Sequence, residues 1–215
     1  MNQNFEAMAA EYRRLFAVLR DLHMEIFRLV PKTVLHEAAK RLDMLQQING
    51  RKTLIFSYEE ESDAFSDYLL YLFRPQGVKF SYVQRMLNSK RYPADSDQGR
   101  LLAQMAKARF SLFRVQGLVP DVGVRFYDLV IGQEFLVFDS SLPRYKEADV
   151  LGLVLGLRIF PFQGYWMHSG AVLNTGLGQR PDHSLLSTTP LDEKTERKLN
   201  EKIILQYRAL HEGLE

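Results

Sequence analysis

The 215 residues carry 28 Lys and Arg against 26 Asp and Glu, a net charge of +2, with 46% hydrophobic and 25% charged residues. A chain of this composition buries a sizeable core, which excludes wholesale disorder, and its small net charge excludes a global field drawing it to nucleic acid or to a membrane. It has no cysteine, which removes disulfides, thiolate nucleophiles and cysteine-built zinc sites together.

No basic segment leading into an apolar core opens the chain, and nowhere do ~18 apolar residues run without a charge. The expected location is the cytoplasm, without membrane contact. The first helix is announced by Phe5, Met8, Tyr12, Leu15, Leu19, Leu22, Ile26 and Leu29, spaced alternately by three and four residues as in a heptad repeat. Ala9, Phe16, His23 and Val30 widen the stripe on one flank, as in a helix packed on a core or in a bundle; a dimeric coiled coil is the alternative. From Phe5 to Leu29 such a helix spans ~37 Å, longer than a compact domain of this size readily covers. The stripe is therefore a candidate interface with a second copy or another protein.

Val30-Pro31 breaks this helix, because proline lacks an N–H and disfavours a helical residue before it. A second helix is predicted from Lys32 to Ile48, with Leu35, Ala38, Leu42 and Leu45 inward and Asn49-Gly50 as its stop. His36-Glu37-Ala38-Ala39-Lys40 begins like a zinc-protease motif, but lysine stands where the second histidine is needed, and no metal site follows. Ser57-Tyr58-Glu59-Glu60 reads as a capping box, opening a helix through Phe65, Tyr68, Leu69 and Leu72 that ends near Arg74-Pro75-Gln76-Gly77. Glu59, Asp63 and Asp67 share one face of it, read as a solvated acidic face.

Ser81 to Lys90 reads as a short helix, and Asp95 or Ser96 caps another reaching Ala108. Between Arg74 and Arg114 nine bases face two acids, Asp95 and Asp97, a local balance of +7. Lys79, Arg85, Lys90, Arg91, Arg100 and Lys107, interleaved with Phe80, Tyr82, Tyr92 and Phe110, form a candidate contact surface for an acidic partner or a nucleic-acid backbone; the plainer reading is a solvated helix face.

The next stretch alternates short β runs with turns. Strands are expected over Phe110–Val115, Glu134–Phe138, Val150–Phe160 and Gly164–Leu173, with Phe126–Gly132 as a single helical turn. Such spacing indicates a small antiparallel barrel or strongly bent sheet. Phe126-Tyr-Asp-Leu-Val-Ile-Gly132, Phe135-Leu-Val-Phe-Asp139, Leu157-Arg-Ile-Phe-Pro161 and Tyr165-Trp-Met-His-Ser-Gly170 resemble a set of uncharacterised bacterial proteins with helical N-terminal regions. The resemblance spans about residues 110–173 and implies a fold without implying an activity.

Asp128, Asp139, Arg158 and His168 are the polar candidates of this module. A hydrolytic triad would need a serine beside His168, but Ser169 follows it on a strand, where neighbours point to opposite faces, leaving Ser111, Ser140 or Ser141. No nucleophile-elbow motif accompanies any of them. Arg158 is expected to anchor Asp128 or Asp139, and His168 to lie at the barrel edge.

Residues 174–190 read as a connector, with His183 lacking a partner at metal-ligand spacing. Asp192 then opens an amphipathic helix carrying Leu199, Ile203, Tyr207, Leu210 and Leu214 on one stripe, which must dock on the N-terminal helices, another subunit or a different protein. The expected fold is thus α+β: a helical region over 1–108, a small antiparallel barrel-like module over 110–173, a linker over 174–190 and a C-terminal helix over 191–215. The expected role is a non-catalytic interaction or adaptor protein, with no cofactor or metal. Nucleic-acid binding through residues 74–114 and a hydrolase-like pocket in the β module are the alternatives.

Overall fold

A computed structural model describes residues 2–176 and 189–212. Helix α1 (Asn2–Arg28) is followed by α2 (Lys32–Arg41), a hairpin of β1 (Leu45–Ile48) and β2 (Arg51–Leu54), and helices α3 (Glu59–Tyr71), α4 (Tyr82–Asn88) and α5 (Asp97–Met105). Strands β3 (Arg109–Val119), β4 (Gly123–Asp128) and β5 (Gln133–Phe138) come next, then the short α6 (Glu147–Val150), β6 (Val154–Phe162), β7 (Tyr165–Asn174) and finally α7 (Glu193–Glu212). His183 and Leu214 lie outside the described residues, as does most of the expected connector.

The five strands close into a barrel in the order β3-β4-β5-β7-β6. It is mixed rather than antiparallel, because β5 and β7 close it side by side in parallel, Val137 opposite Trp166 and Phe138 opposite Met167. Alternation along each strand separates two cores. Phe113, Val115, Val124, Phe126, Val137, Leu155, Leu157 and Ile159 fill the barrel. Phe110, Leu112, Phe138, Phe160 and Met167 join the helices in a larger core outside it.

Two predicted helical segments are strands. Leu45–Ile48 pairs antiparallel with Arg51–Leu54, and Asn49 and Gly50 take φ of 50° and 75°. Consecutive positive φ values make the two-residue turn that matches strand twist, so Asn-Gly here reverses a hairpin instead of stopping a helix. Phe126 and Asp128 likewise belong to β4, where pairing with β3 and β5 overrides local helical spacing. The capping box expected at Ser57 is displaced: Tyr58 is the N-cap and makes no side-chain cap bond, while Ser57 N–H donates to Glu61 at 2.9 Å. Ser81 and Ser96 do cap α4 and α5 through their hydroxyls.

The α1 stripe lies inside the molecule. Met8, Tyr12, Leu15, Leu19, Leu22 and Ile26 are all buried in the chain's own core, and Leu29 alone of the stripe residues from Met8 onward is exposed. α7 docks on its own chain as well, through Leu199, Ile203, Ile204 and Tyr207, with Leu210 left exposed. Gly156 on β6 allows this approach: a Cβ there would meet Ile203 and the Phe110 ring, each at 3.0 Å.

Candidate functional site

Of the four polar candidates of the barrel only Asp139 and His168 come together; Asp128 and Arg158 each have other partners. Asp128, fully buried, accepts hydrogen bonds from Arg109 at 2.6 Å, Ser111 at 2.8 Å and the N–H groups of Val130 and Ile131, so it ties the turn after β4 to β3. Asp139 organises a second turn, accepting from the Ser141 N–H and hydroxyl and from Leu142 N–H. His168 Nε2 lies 3.5 Å from Asp139 and 3.2 Å from the Tyr12 hydroxyl, while Gly170 N–H donates to Nδ1. That last bond places the proton of a neutral ring on Nε2, facing Asp139 and Tyr12. Burial works to raise the Asp139 carboxyl, but His168 and the bonds from Ser141 and Leu142 outweigh it and hold the group below its ordinary range. Far from standing at a barrel edge, His168 is buried, with Phe16 of α1 over its ring at 5.4 Å.

Arg158 pairs with neither barrel aspartate. Its Nε donates to Asp67 of α3 at 2.9 Å and its Nη1 to Glu196 of α7 at 2.6 Å, with the guanidinium 4.8 Å from the centre of the Tyr71 ring. Asp67, expected on a solvated face, is therefore buried, and Glu196 also accepts the Phe110 N–H of β3 at 2.8 Å. Burial disfavours the charged guanidinium, yet the two carboxylates hold Arg158 charged and shift it upward.

Of the three serines a triad could have used, Ser111 donates to Asp128 and Ser141 to Asp139, and Ser140 is exposed. The candidate basic surface is exposed throughout, but α1 supplies acids that a sequence window does not count. Arg91 pairs with Glu25 at 2.6 Å, and Arg100 with Asp97 at 2.6 Å and Glu11 at 3.9 Å. Lys79, Arg85 and Arg91 each lie over the ring of a neighbouring aromatic residue, Phe80, Tyr82 and Tyr92. Lys90 and Lys107 are exposed on the same segment.

A concavity that none of the polar or basic candidates lines lies between α1, α3 and β7. It has a volume of about 580 Å³. Phe16, Leu19, Phe27 and Leu70 give it apolar walls, while His23, Ser66, Asp67 and Ser169 give it polar ones; Arg20, Met24, Arg28 and Asp63 are its more exposed margin. His23 shares a 2.8 Å hydrogen bond with the Tyr71 hydroxyl, and burial pushes its imidazole down to about 4, Asp67 opposing and Arg158 assisting. Burial, followed by Glu59 and Glu60, raises the Asp63 carboxyl. The sequence carries two traces of the cleft: Asp63 and Asp67 one turn apart on α3, and His23 on the flank that widens the heptad stripe.

Residues 6–175 match a family described as "Family of unknown function (DUF7986)". The chain belongs to that family. No curated protein and no solved structure matches it. The DUF7986 match takes in α1 through β7 and so every residue lining the cleft, well beyond residues 110–173; α7, with Glu196, lies past its end. No helix among the described residues is long and apolar enough to cross a membrane.

Proposed function

We propose that this protein is a non-catalytic binding protein whose site is the cleft between α1, α3 and β7. The observation that carries the reading is the cleft itself: a space of about 580 Å³ with apolar walls and a few polar groups, within the several-hundred-Å³ range of small-molecule sites. Supporting it, Asp128 and Asp139 are occupied with Arg109, Ser111, Ser141 and backbone N–H groups of their own turns, and Arg158 with Asp67 and Glu196 of the helices. The cleft is preferred to the α1 stripe as the contact site because Met8, Tyr12, Leu15, Leu19, Leu22 and Ile26 pack within the chain's own core. Ligand-dependent behaviour, relayed by α1 or α3 to another molecule, takes its place as the way such a protein acts on others.

The test is a thermal-shift screen of small molecules on the full chain, repeated on Ser66→Trp, which puts a large ring into the cleft from a half-buried position on α3. Compounds that raise the melting temperature of the native protein should lose that effect in the variant. A screen in which nothing binds, or in which every compound found binds the variant equally well, removes the cleft as the site.

A further inference from the structure

Two of the side chains lining the cleft are nine-tenths buried and incompletely satisfied. Asp67, on α3, is 7% exposed; its Oδ2 takes the Arg158 bond, and its Oδ1 has no hydrogen-bond partner within the fold. Ser169, on β7, is 6% exposed, and its hydroxyl has none either. The two come from different elements, so no single turn or cap accounts for both. A buried polar group left unpaired is costly and calls for an explanation, and where two of them line one cleft a ligand that supplies the missing bonds is such an explanation.

Their chemistry specifies the ligand. A carboxylate oxygen can only accept, whereas a serine hydroxyl can donate or accept. A head group carrying at least one N–H or O–H has the chemistry that both lack. Beside them Phe16, Leu19, Phe27 and Leu70 offer an apolar surface for the rest of the molecule. Resting on the cleft being a binding site, we infer that it takes small amphipathic molecules with a hydrogen-bond-donating head, an alcohol or a primary amine, held by Asp67 and Ser169, and an aliphatic or aromatic body against α1. The Arg158 bond matters here, because it leaves one carboxylate oxygen engaged and the other available.

Titrations of the full chain with 1-octanol, octylamine and octanoate, followed by calorimetry and by two-dimensional NMR, test this. The alcohol, the amine or both should bind, with shifts centred on α1, α3 and β7, and octanoate at least tenfold more weakly. Preference between alcohol and amine tells whether the serine or the carboxylates dominate recognition. Ser169→Ala should weaken the best probe by about tenfold, the equivalent of one hydrogen bond of ~1.4 kcal/mol. It removes a hydroxyl that bonds nothing in the fold, so it should fold normally, unlike changes at Asp67. Octanoate binding in the cleft as tightly as the alcohol and amine, with loss in Ser66→Trp, overturns the donor-head inference while leaving the cleft as the site. An unaltered affinity in Ser169→Ala overturns it too. If no molecule of any class binds the cleft, the reading beneath it falls as well.

Discussion

Arg158 of β6 donates to Asp67 of α3 at 2.9 Å, and through this bond the barrel is joined to the helical layer at a point 91 residues away in sequence. The same guanidinium reaches Glu196 of α7, and that carboxylate bonds the first turn of α7 to the β3 backbone. Arg158 is 1% exposed, so its charge has no water to fall back on. α7 makes a second contact of this kind, Arg208 to the buried Glu61 of α3 at 2.8 Å.

Arg158→Ala strands two buried carboxylates and should cost about 3–5 kcal/mol in urea unfolding. Replacing all three partners by apolar residues of similar size, as in Asp67→Leu with Arg158→Met and Glu196→Leu, should recover most of that loss. A single variant near native stability would show that the cluster is not what holds barrel and helices together.

Leu19 is 1% exposed at the middle of the α1 stripe. Leu19→Ala should destabilise by about 2–5 kcal/mol, through lost burial and the cavity left behind. The mass by light scattering behind a sizing column should be the same for native and variant protein. A change of mass would return the stripe to the role of an interface.

His23 gives stability a pH dependence of known sign. Its pKa is about 4 in the folded chain against 6.5 for the ordinary group, so between these values the unfolded chain binds the proton and the folded one does not. Its contribution is fully present above pH 6.5 and declines as pH falls toward 4, by at most about 3 kcal/mol for a half-buried group. His23→Gln should flatten the stability profile over that window; identical slopes for both proteins would contradict the assignment.

Gly156 lies in extended strand, with Ile203 and Phe110 each 3.0 Å from the place of a Cβ. Gly156→Val should push α7 away and destabilise by roughly 1–3 kcal/mol, as overpacking does. Exchange of α7 amides should quicken more than exchange of the barrel. Uniform quickening would mean that α7 and the barrel open as one unit.

By itself the sequence determined most of what neighbours along the chain can decide. The heptad spacing of Met8 to Ile26 made a helix with one apolar face, Ser81 and Ser96 capped short helices, and the β runs after Ala108 made a small barrel under a C-terminal amphipathic helix. Each depends on periodicities of 3.6 or 2 residues or on a cap within one turn, where the cause and its effect sit side by side. Tertiary structure decided the rest. Asn49-Gly50 serves equally as a helix stop or a hairpin turn until the two short flanking segments find each other, and Phe126 to Asp128 became a strand because β3 and β5 lay ready on both sides. Arg158 had acidic residues of several segments within conceivable reach. Barrel closure by the parallel β5–β7 contact brought it to Asp67 and Glu196 while leaving Asp128 and Asp139 to bind their own turns. The cleft is of the same kind: Phe16, Asp67 and Ser169 become its walls only when α1 and α3 are laid beside β7, and pairings over such distances are chosen by the packing of whole elements.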